Sequence, residues 1–368
     1  MDTAKTVKMA SGCEAVSEAA AIIASGGIAA FPTETVYGLG ADAFNPTAVA
    51  RVYAAKGRPG DNPLIMHIAD SEVFFRLTED PPPYARALIK AFWPGPLTLV
   101  AKKNRDLPLW VGGHPKGTAG TVGIRMPSHP LALALIKASG CIVAAPSANL
   151  AGTPSPTIAA HVAGDFAKGE IDYILDGGAV PGGLESTVVD VTGPAPVVLR
   201  PGAITVEMIA NATGIKTHQP DMHTPSKEAP DSHLAVQENK TPPRSPGMKY
   251  RHYAPKAPMT LLIGNDSEIA AYIQGQCKQM YNQRMGILVT DETQAMLIQS
   301  LQHKHINYIT LGPKASLETI AQNLYATLRQ FDAIGVDVIF AEGFVQDGIG
   351  IAIMDRMTKA AEGRVTYV

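Results

Sequence analysis

The sequence predicts two consecutive α/β domains joined by a polar linker. Short apolar runs that suit β-strands alternate with segments of helical length, which is typical of α/β folds. From about Thr217 to Pro246 the chain is rich in Pro, Ser, Thr and charged residues, and such a composition does not build a core. We therefore predict one domain over residues 1–215, a linker over 216–256 and a smaller domain over 257–368.

The carboxy-terminal part repeats a strand–helix unit. Predicted strands lie at Met259–Ile263, Met285–Thr290, Asn307–Leu311 and Val336–Ala341. Predicted helices lie between them, at Ser267–Tyr281, Thr293–Gln302 and Ser316–Phe331. Repeated β-α-β units predict a parallel sheet of Rossmann-like type. No phosphate-binding glycine motif follows the first strand, so this domain is interpreted as a scaffold.

The amino-terminal part is less regular. Its predicted strands are Ile28–Phe31, Leu64–Ile68, Leu97–Ala101, Val122–Met126, Ile142–Ala145, Tyr173–Leu175, Val188–Val191 and Val197–Arg200. Its predicted helices include Pro46–Lys56, Tyr84–Trp93 and Leu131–Ser139, and one that ends near Gly26-Gly27 before the first strand. Many strands end in polar turns that contain Pro or Gly. Because sites are usually built on loops held by a rigid sheet, we expect the chemistry here.

Composition excludes several classes of protein. The 368 residues are 46% hydrophobic and 17% charged, with 34 Gly and 29 Pro, which argues against global disorder and against a helical bundle. A net charge of −2 argues against a protein that coats nucleic acid. Three distant cysteines form neither a metal motif nor a secreted disulfide framework. No run reaches the roughly 18 apolar residues of a membrane span, so we expect a cytoplasmic protein.

A glycine motif near the start matches a dinucleotide-binding fingerprint in the wrong context. Gly38–Ala43 reads G-x-G-x-x-A, but Thr33-Glu34-Thr35 precedes the glycines and Asn45-Pro46 follows them. We expect the next helix to begin at Pro46, so the strand–glycine–helix junction that such a site needs is missing. P-loop, GxSxG and HExxH motifs are also absent from the sequence.

The helix predicted at Pro46–Lys56 ends in polar and cationic residues. Asn45 suits the N-cap, and Gly57 can close the helix. Lys56 lies seven residues after Val49 and shares its inner face. Lys56 is therefore either a functional cation, with Arg58 just beyond it, or a snorkelling side chain that caps the helix end.

Polar residues also follow several predicted strands. Arg125 ends one strand, Pro146-Ser147-Ala148-Asn149 follows another, and Arg200 ends a third. Ser155-Pro156-Thr157 has the pattern of a helix N-cap and first turn, which predicts free backbone N–H groups for an anion. The glycine-rich segment Asp176–Thr187 can present further backbone donors.

Each of these signals alone is compatible with turn chemistry or with a surface arginine. Together, four cations with hydroxyl groups between them predict a concave site for a carboxylate and a polyphosphate; the cations are Lys56, Arg58, Arg125 and Arg200.

The histidines do not predict a metal site. His303 and His305 are two residues apart, and His218 and His223 fall in the linker. His67, in a predicted strand, faces the sheet interior or a pocket. The stretch Lys249–Tyr253 (KYRHY) is dense in cationic and aromatic residues, and is either the charged start of a domain or a functional segment.

Motifs along the whole chain resemble the two-domain threonylcarbamoyl-AMP synthases with a YrdC-like catalytic domain. In the amino-terminal part they are Pro32–Gly40 (PTETVYGLG), Lys56–Pro59 (KGRP), Asn62–Leu64 (NPL), Trp93–Thr98 (WPGPLT), Pro146–Asn149 (PSAN), Glu185–Asp190 (ESTVVD) and Arg200–Gly202 (RPG). Ser245–Pro255 (SPGMKYRHYAP) resembles the linker motif of the same family. The order of the motifs agrees with the family throughout.

The resemblance implies a fold and a reaction. The fold is a twisted open α/β sheet with a concave cavity, followed by a Rossmann-like parallel α/β domain. L-threonine, bicarbonate or CO2, and ATP react to give threonylcarbamoyl-AMP and pyrophosphate. This is the first step of N6-threonylcarbamoyladenosine modification of tRNA.

The resemblance also implies site residues. On the threonine side they are Thr35, His67, Arg125, Ser186 and the backbone of Ala145. On the ATP side they are Arg58, Asn62, Thr121, Ser147, Asn149, Ser155 and Arg200, with Tyr250 and His252 of the linker closing over the nucleotide. Lys56, Arg58 and Arg200 are our candidates for stabilising charge on the reacting phosphates.

Cofactor and partner expectations follow from the same family. We expect Mg2+ to arrive with ATP, no metal ligands from side chains and no tightly bound organic cofactor. The product would pass to a tRNA threonylcarbamoyl-transfer complex, so direct tRNA binding by this chain is not required. The alternative is a non-catalytic RNA-binding module that uses the same basic surface; the net charge of −2 weighs against it.

Overall fold

The computed structural model describes residues 7–108, 110–112, 120–219, 252–298 and 305–368. These residues form two α/β parts, each built on its own sheet. None of the described helices is both long and apolar enough to cross a membrane.

Ten strands form the amino-terminal sheet within the described residues. They are β1 (Lys8–Ala10), β2 (Ala29–Phe31), β3 (Gly38–Asp42), β4 (Ile65–His67), β5 (Leu97–Lys102), β6 (Thr121–Arg125), β7 (Val143–Ala145), β8 (Tyr173–Leu175), β9 (Thr187–Asp190) and β10 (Val197–Arg200). The order is β1-β8-β2-β3-β7-β4-β6-β5-β9-β10, with parallel and antiparallel pairs mixed. This mixed open sheet agrees with the predicted fold class.

Helices cover both faces of this sheet. They are α1 (Cys13–Ala24), α2 (Pro46–Lys56), α3 (Glu72–Leu77), α4 (Pro83–Phe92), α5 (Pro130–Ser139), α6 (Ala159–Asp165) and α7 (Val206–Thr213). One apolar core packs α2 and α4 against the sheet, and a second packs α1 and α5. Two cores on opposite faces hold the strands, and the loops between them form the site.

The helix α2 forms as its local sequence predicts. The Asn45 side chain accepts hydrogen bonds from the backbone N–H groups of Thr47 and Ala48, and Pro46 occupies the first turn. Gly57 ends the helix in the left-handed conformation, with φ 60°. Val49 and Lys56 are both buried, so the predicted inner face is correct.

The glycines Gly38 and Gly40 belong to strand β3, and the next helix, α2, begins only at Pro46. A Cβ atom on Gly40 would lie 2.7 Å from Val143 Cγ1 and 2.8 Å from Phe31 Cε1. These glycines therefore permit close packing inside the sheet, as expected for a motif that is not a dinucleotide site.

The carboxy-terminal part is a strand–helix repeat. Its elements are β11 (Met259–Ile263), α8 (Asp266–Gln279), β12 (Met285–Val289), α9 (Asp291–Ile298), β13 (Ile306–Thr310), α10 (Leu317–Ile334), β14 (Val338–Glu342), α11 (Ile349–Ala360) and β15 (Val365–Tyr367). The strands pair in the order β13-β12-β14-β11-β15, all in parallel. The predicted Rossmann-like parallel sheet is confirmed, and α11 and β15 extend it beyond the predicted elements.

The two parts share an apolar core. Val36 and Leu184 of the amino-terminal part belong to the same buried cluster as Leu324 and Tyr325 of α10. Gly183 approaches α10 so closely that a Cβ atom there would lie 2.4 Å from Gln322 Cα. The carboxy-terminal part therefore packs directly against a loop that leads to the site.

Candidate active site

A cavity of about 610 Å³, counting space open to solvent, lies over the loops of the amino-terminal sheet. It brings together most of the predicted site residues: Thr35, Arg58, His67, Arg125, Ala145, Ser147, Asn149, Ser155, Ser186, Arg200 and His252.

A smaller cavity of about 310 Å³ adjoins it and shares Arg58 and His252. Lys56 and Asn62 line this second space. Asn62 Oδ1 and His252 Nε2 are buried and make no hydrogen bond among the described residues. These two polar atoms can therefore serve a ligand that reaches the smaller cavity.

Two predicted residues are not seen in these cavities. Thr121 begins β6 and lines neither of them; it lies four residues before Arg125, about 13 Å along an extended strand. Tyr250 lies outside the described residues. Both assignments stay predictions.

Lys56 is buried and binds the loop after β7. Its Nζ donates to the backbone carbonyls of Ser147 and Asn149, the latter at 2.5 Å. Burial holds the pKa of the Lys56 ammonium well below its usual value, and the positive charge of Arg58 adds to this shift. Lys56 therefore fixes the shape of the Ser147–Asn149 loop and does not snorkel to solvent.

Arg125 forms a neutralised pair with a residue that the sequence analysis left without a role. Its Nη2 lies 2.6 Å from Glu34 Oε1, and its Nη1 donates to Thr35 Oγ1 at 2.9 Å. Burial alone would raise the pKa of Glu34, but the Arg125 charge and hydrogen bonds lower it below its usual value. Glu34 therefore stays ionised and holds the guanidinium beside Thr35.

Arg58 and Arg200 donate to uncharged partners. Arg58 donates to the carbonyls of Asn62 and Pro63, at 3.2 and 2.9 Å. Arg200 donates from Nε and Nη2 to the Ser186 carbonyl, at 3.1 and 2.9 Å. Burial lowers the pKa of Arg58 to about 10, so this guanidinium keeps its charge at neutral pH. Burial also lowers the pKa of Arg200. Because carbonyl oxygens do not cancel a positive charge, both guanidinium groups remain able to bind an anionic ligand.

The two histidines of the site are neutral. Burial, with Arg125 nearby, lowers the pKa of His67 to about 3, and its Nδ1 lies 3.0 Å from the Ile65 carbonyl. Burial, with Arg58 nearby, lowers the pKa of His252 to about 4. Each ring can therefore act as a hydrogen-bonding group at neutral pH without adding charge.

The prediction of a helix N-cap at Ser155 is wrong. The next helix, α6, begins at Ala159 and has no side-chain cap. Ser155 is instead buried, and its hydroxyl donates to Glu185 Oε1 at 2.5 Å. A carboxylate far along the chain satisfies the hydroxyl that the local pattern assigned to a helix, so no helix-terminus anion site exists at this point.

Glu185 is the main site residue that sequence reasoning missed. It lines the large cavity and accepts hydrogen bonds from Ser155, from the Tyr325 hydroxyl at 2.9 Å and from Arg356 Nε at 2.9 Å. Burial alone would raise its pKa, but the charges of Arg356 and Arg200 lower it to about 2. Its place in the ESTVVD motif was a usable signal, whereas Tyr325 and Arg356 lie in helices with no motif.

The acidic groups at the cavity are thus paired with arginines. Within the described ranges, no three or more His, Cys, Asp or Glu side chains are grouped to hold a metal ion. The cavity therefore offers charge from arginines and hydrogen bonds from hydroxyl and amide groups.

Two family models match consecutive parts of the chain. The Sua5/YciO/YrdC model, described as telomere recombination, matches residues 21–202. The threonylcarbamoyl-AMP synthase C-terminal domain matches residues 204–362. The Bacillus subtilis threonylcarbamoyl-AMP synthase is 47% identical over 95% of this chain and 94% of its own length.

The chain belongs to the threonylcarbamoyl-AMP synthase family.

Other relatives agree with this membership. The Pyrococcus abyssi threonylcarbamoyl-AMP synthase is 42% identical, with 95% of each chain covered. The crystal structure of P. abyssi Sua5 complexed with L-threonine matches with a TM-score of 0.83 and 40% identity, covering 99% of this chain and 100% of that one. The family and the two-part α/β fold predicted from the motifs are confirmed.

Proposed function

We propose that this chain joins L-threonine, bicarbonate or CO2, and ATP into threonylcarbamoyl-AMP, with release of pyrophosphate. One observation carries the proposal. Residues of most family motifs line one cavity, where Arg125, neutralised by Glu34, lies beside two arginines that donate to carbonyls. Relatives that match over about 95% of this chain carry the name of this activity.

Threonine is assigned to the part of the cavity around Arg125. Arg125 can bind the carboxylate of the amino acid, since a guanidinium matches that group in shape and charge. The Thr35 hydroxyl, neutral His67, Ser186 and the Ala145 backbone supply short-range polar contacts. Because His67 carries no charge, it does not repel the amine that must react.

ATP is assigned to the part of the cavity around Arg58 and Arg200. Both guanidinium groups can bind phosphate oxygens, and Ser147, Asn149 and Ser155 lie nearby on loops held by Lys56 and Glu185. Asn62 and His252 present unpaired polar atoms in the adjoining cavity. We include Thr121 and Tyr250 in this set as predictions from the family motifs.

The chemistry needs positioning and charge more than it needs a strong base. The threonine amine adds to CO2 and releases one proton to water, which gives a carbamate. A carbamate oxygen then attacks the α-phosphorus while the bond to pyrophosphate breaks and pyrophosphate leaves. The carbamate is labile, so its confinement beside the α-phosphate and away from water favours reaction. Lys56, Arg58 and Arg200 are proposed to stabilise the charge that develops on the phosphates.

Magnesium is treated as part of the ATP substrate. The carboxylates that line or border the cavity, Glu185 and Glu34, are each held by an arginine. This pairing supports our expectation that phosphate oxygens and water hold the ion, without ligands from the described side chains. No tightly bound organic cofactor is part of the proposal.

The end of the linker is proposed as a lid. His252 and Tyr253 line the large cavity, and residues 220–251 lie outside the described part of the chain. We retain 1–215 as the catalytic domain, 216–256 as the linker and 257–368 as the carboxy-terminal domain.

The double substitution Tyr250→Ala and His252→Ala should lower activity and nucleotide affinity. Unchanged activity and affinity would contradict the proposal that the linker closes over the nucleotide.

The product is proposed to pass to a tRNA threonylcarbamoyl-transfer complex. Its mixed anhydride is reactive and calls for a nearby acceptor enzyme. Use of ATP and supply of a tRNA-modifying reaction support a cytoplasmic location. Direct tRNA binding by this chain is not required.

One assay tests the proposal. The purified chain is mixed with ATP, threonine and bicarbonate, and pyrophosphate is measured with each substrate omitted in turn. The proposal predicts release that needs both threonine and bicarbonate. Release that is indifferent to threonine would contradict it, and no release at all would favour the RNA-binding alternative.

A further inference from the structure

A buried polar network connects the carboxy-terminal helices to the cavity. Glu185 is 7% exposed, and Tyr325 of α10 and Arg356 of α11 are fully buried. The Tyr325 hydroxyl donates to both carboxylate oxygens of Glu185, at 2.9 and 3.2 Å. Arg356 Nε donates to the same carboxylate at 2.9 Å. Two residues of one domain thus hold a carboxylate that belongs to the cavity of the other.

The contacts of Arg356 bracket the predicted site residues Ser186 and Arg200. Its Nε binds Glu185, the residue before Ser186, and its Nη2 donates to the carbonyl of Pro201, the residue after Arg200, at 3.1 Å. Arg200 in turn donates to the Ser186 carbonyl and hydroxyl. The Arg356 guanidinium therefore connects the segment that carries Ser186 to the segment that carries Arg200.

Glu185 also orients a third site residue, Ser155. Ser155 donates to Glu185 Oε1 at 2.5 Å, so the orientation of that hydroxyl depends on where the carboxylate is held.

The end of the linker contacts the same two carboxy-terminal side chains. The Tyr253 ring stacks on Tyr325, with centroids 5.4 Å apart, and lies near the Arg356 guanidinium. Ser155, Ser186, Arg200 and Tyr253 thus all depend on two side chains outside the catalytic sheet.

We propose that Tyr325 and Arg356 are positioning residues for the synthase reaction, which set the geometry of Ser155, Ser186 and Arg200 through Glu185. The carboxy-terminal domain is then a structural part of the active site. Charge balance supports this role. The buried carboxylates of Glu185 and Asp355 are matched by the two cations Arg356 and Lys359, so Arg200 is left to bind an anionic substrate. This inference rests on the proposed function.

The test uses the full chain and a mild variant. Tyr325→Phe removes only the hydroxyl and keeps the ring that stacks on Tyr253. We expect kcat/KM for ATP to fall by roughly tenfold, the lower end of the effect of losing one hydrogen bond to a charged group. The midpoint of thermal unfolding should change little. Arg356→Lys keeps the positive charge but loses the planar guanidinium that contacts both Glu185 and Pro201, so kcat/KM should fall further.

A double-mutant cycle separates positioning from general loss of structure. In a Glu185→Gln background, Tyr325→Phe should lower kcat/KM by less than about twofold, because the carboxylate it oriented is gone. If the fold losses in kcat/KM of the two single variants simply multiply in the double variant, the proposal is overturned. So would an unchanged kcat/KM in Tyr325→Phe, and this variant gives a result even if Arg356→Lys fails to fold.

Two controls complete the design. Asp165→Asn weakens another ion pair between the domains, the one with Arg329 at 2.7 Å, without touching Glu185. Arg284→Met removes an exposed pair with Asp337 inside the carboxy-terminal domain. Asp165→Asn should stay within about twofold of the unchanged chain because Arg329 keeps its hydrogen bond to the Pro154 carbonyl. Arg284→Met should also stay within about twofold, because its ion pair is exposed. An equal loss in Asp165→Asn would assign the effect to domain docking and overturn the proposal. Threonine-dependent pyrophosphate release by the unchanged chain shows separately whether the proposed function holds.

Discussion

Two kinds of arginine line the large cavity, and their partners distinguish them. Arg125 is neutralised by Glu34 across 2.6 Å. Arg58 and Arg200 donate to backbone carbonyls, which bind a guanidinium without cancelling its charge. The first arrangement suits a small amino acid, whereas the second suits a polyphosphate. Substitutions of the two kinds should therefore affect different substrates.

Arg200→Lys is the direct residue-scale test of the phosphate side. Lysine keeps the charge but cannot make the forked contact to the Ser186 carbonyl. We expect kcat/KM for ATP to fall by roughly 10- to 100-fold, the range for losing charge-assisted hydrogen bonds. Arg105→Lys is the matched control, since Arg105 is exposed and pairs only with Glu79 among the contacts described. Equal kinetics for the two variants would contradict the assignment of Arg200.

The protonation of His67 is a second residue-scale prediction. Burial lowers its pKa to about 3, so the ring should stay neutral from pH 5 to pH 8, about two units or more above that value. Since the folded pKa lies below the unfolded value of 6.5, this group contributes stability above that pH and loses it as the pH falls toward 3. NMR titration of the ring checks this. A midpoint near 6.5 would show that the ring is not buried as described.

At the scale of elements, local signals predict helices well and fail where a distant residue takes part. Asn45 and Gly57 flank α2 and Pro46 is its first residue, so the sequence was sufficient to predict its bounds. Ser155 carried an equally good N-cap signal, but its hydroxyl binds Glu185, 30 positions away. A short-range pattern cannot reveal a competing partner at that separation.

The segment from Asp176 to Thr187 gives the element-scale prediction. Gly183 has φ +73° and approaches the α10 backbone, where a Cβ atom would lie 2.5 Å from the Ala321 carbonyl oxygen. Gly178 has a similar φ of +76° but faces open space. Gly178→Ala should cost about 1 kcal/mol of unfolding free energy from its backbone conformation alone. Gly183→Ala should cost roughly 1–3 kcal/mol more because of the steric clash.

Urea denaturation of both variants measures this difference. Because the two glycines have similar positive φ angles, the comparison isolates the close approach between the loop and α10. Equal unfolding free energies would show that the two domains do not meet as tightly as described. A loss of kcat/KM confined to Gly183→Ala would further connect this contact to the Glu185 loop.

At the scale of the whole molecule, the motifs were enough to predict the family and the fold, but not the interface. The resemblance covered both domains, and relatives of full length agree with it. Tyr325 and Arg356 reach Glu185 across 140 and 171 positions of sequence. Neither residue stands in a motif, and each lies on the buried face of a helix, where an apolar residue is the usual expectation. Only the three-dimensional arrangement joins them to the site.

The most direct measurement identifies the product itself. The chain is incubated with ATP, threonine and carbon-13 bicarbonate, and the nucleotides are separated and analysed by mass spectrometry. The account predicts an adenylate with the mass of threonylcarbamoyl-AMP that carries the labelled carbon and forms only when threonine is present. An adenylate without the label, or one that forms equally well without threonine, would contradict it.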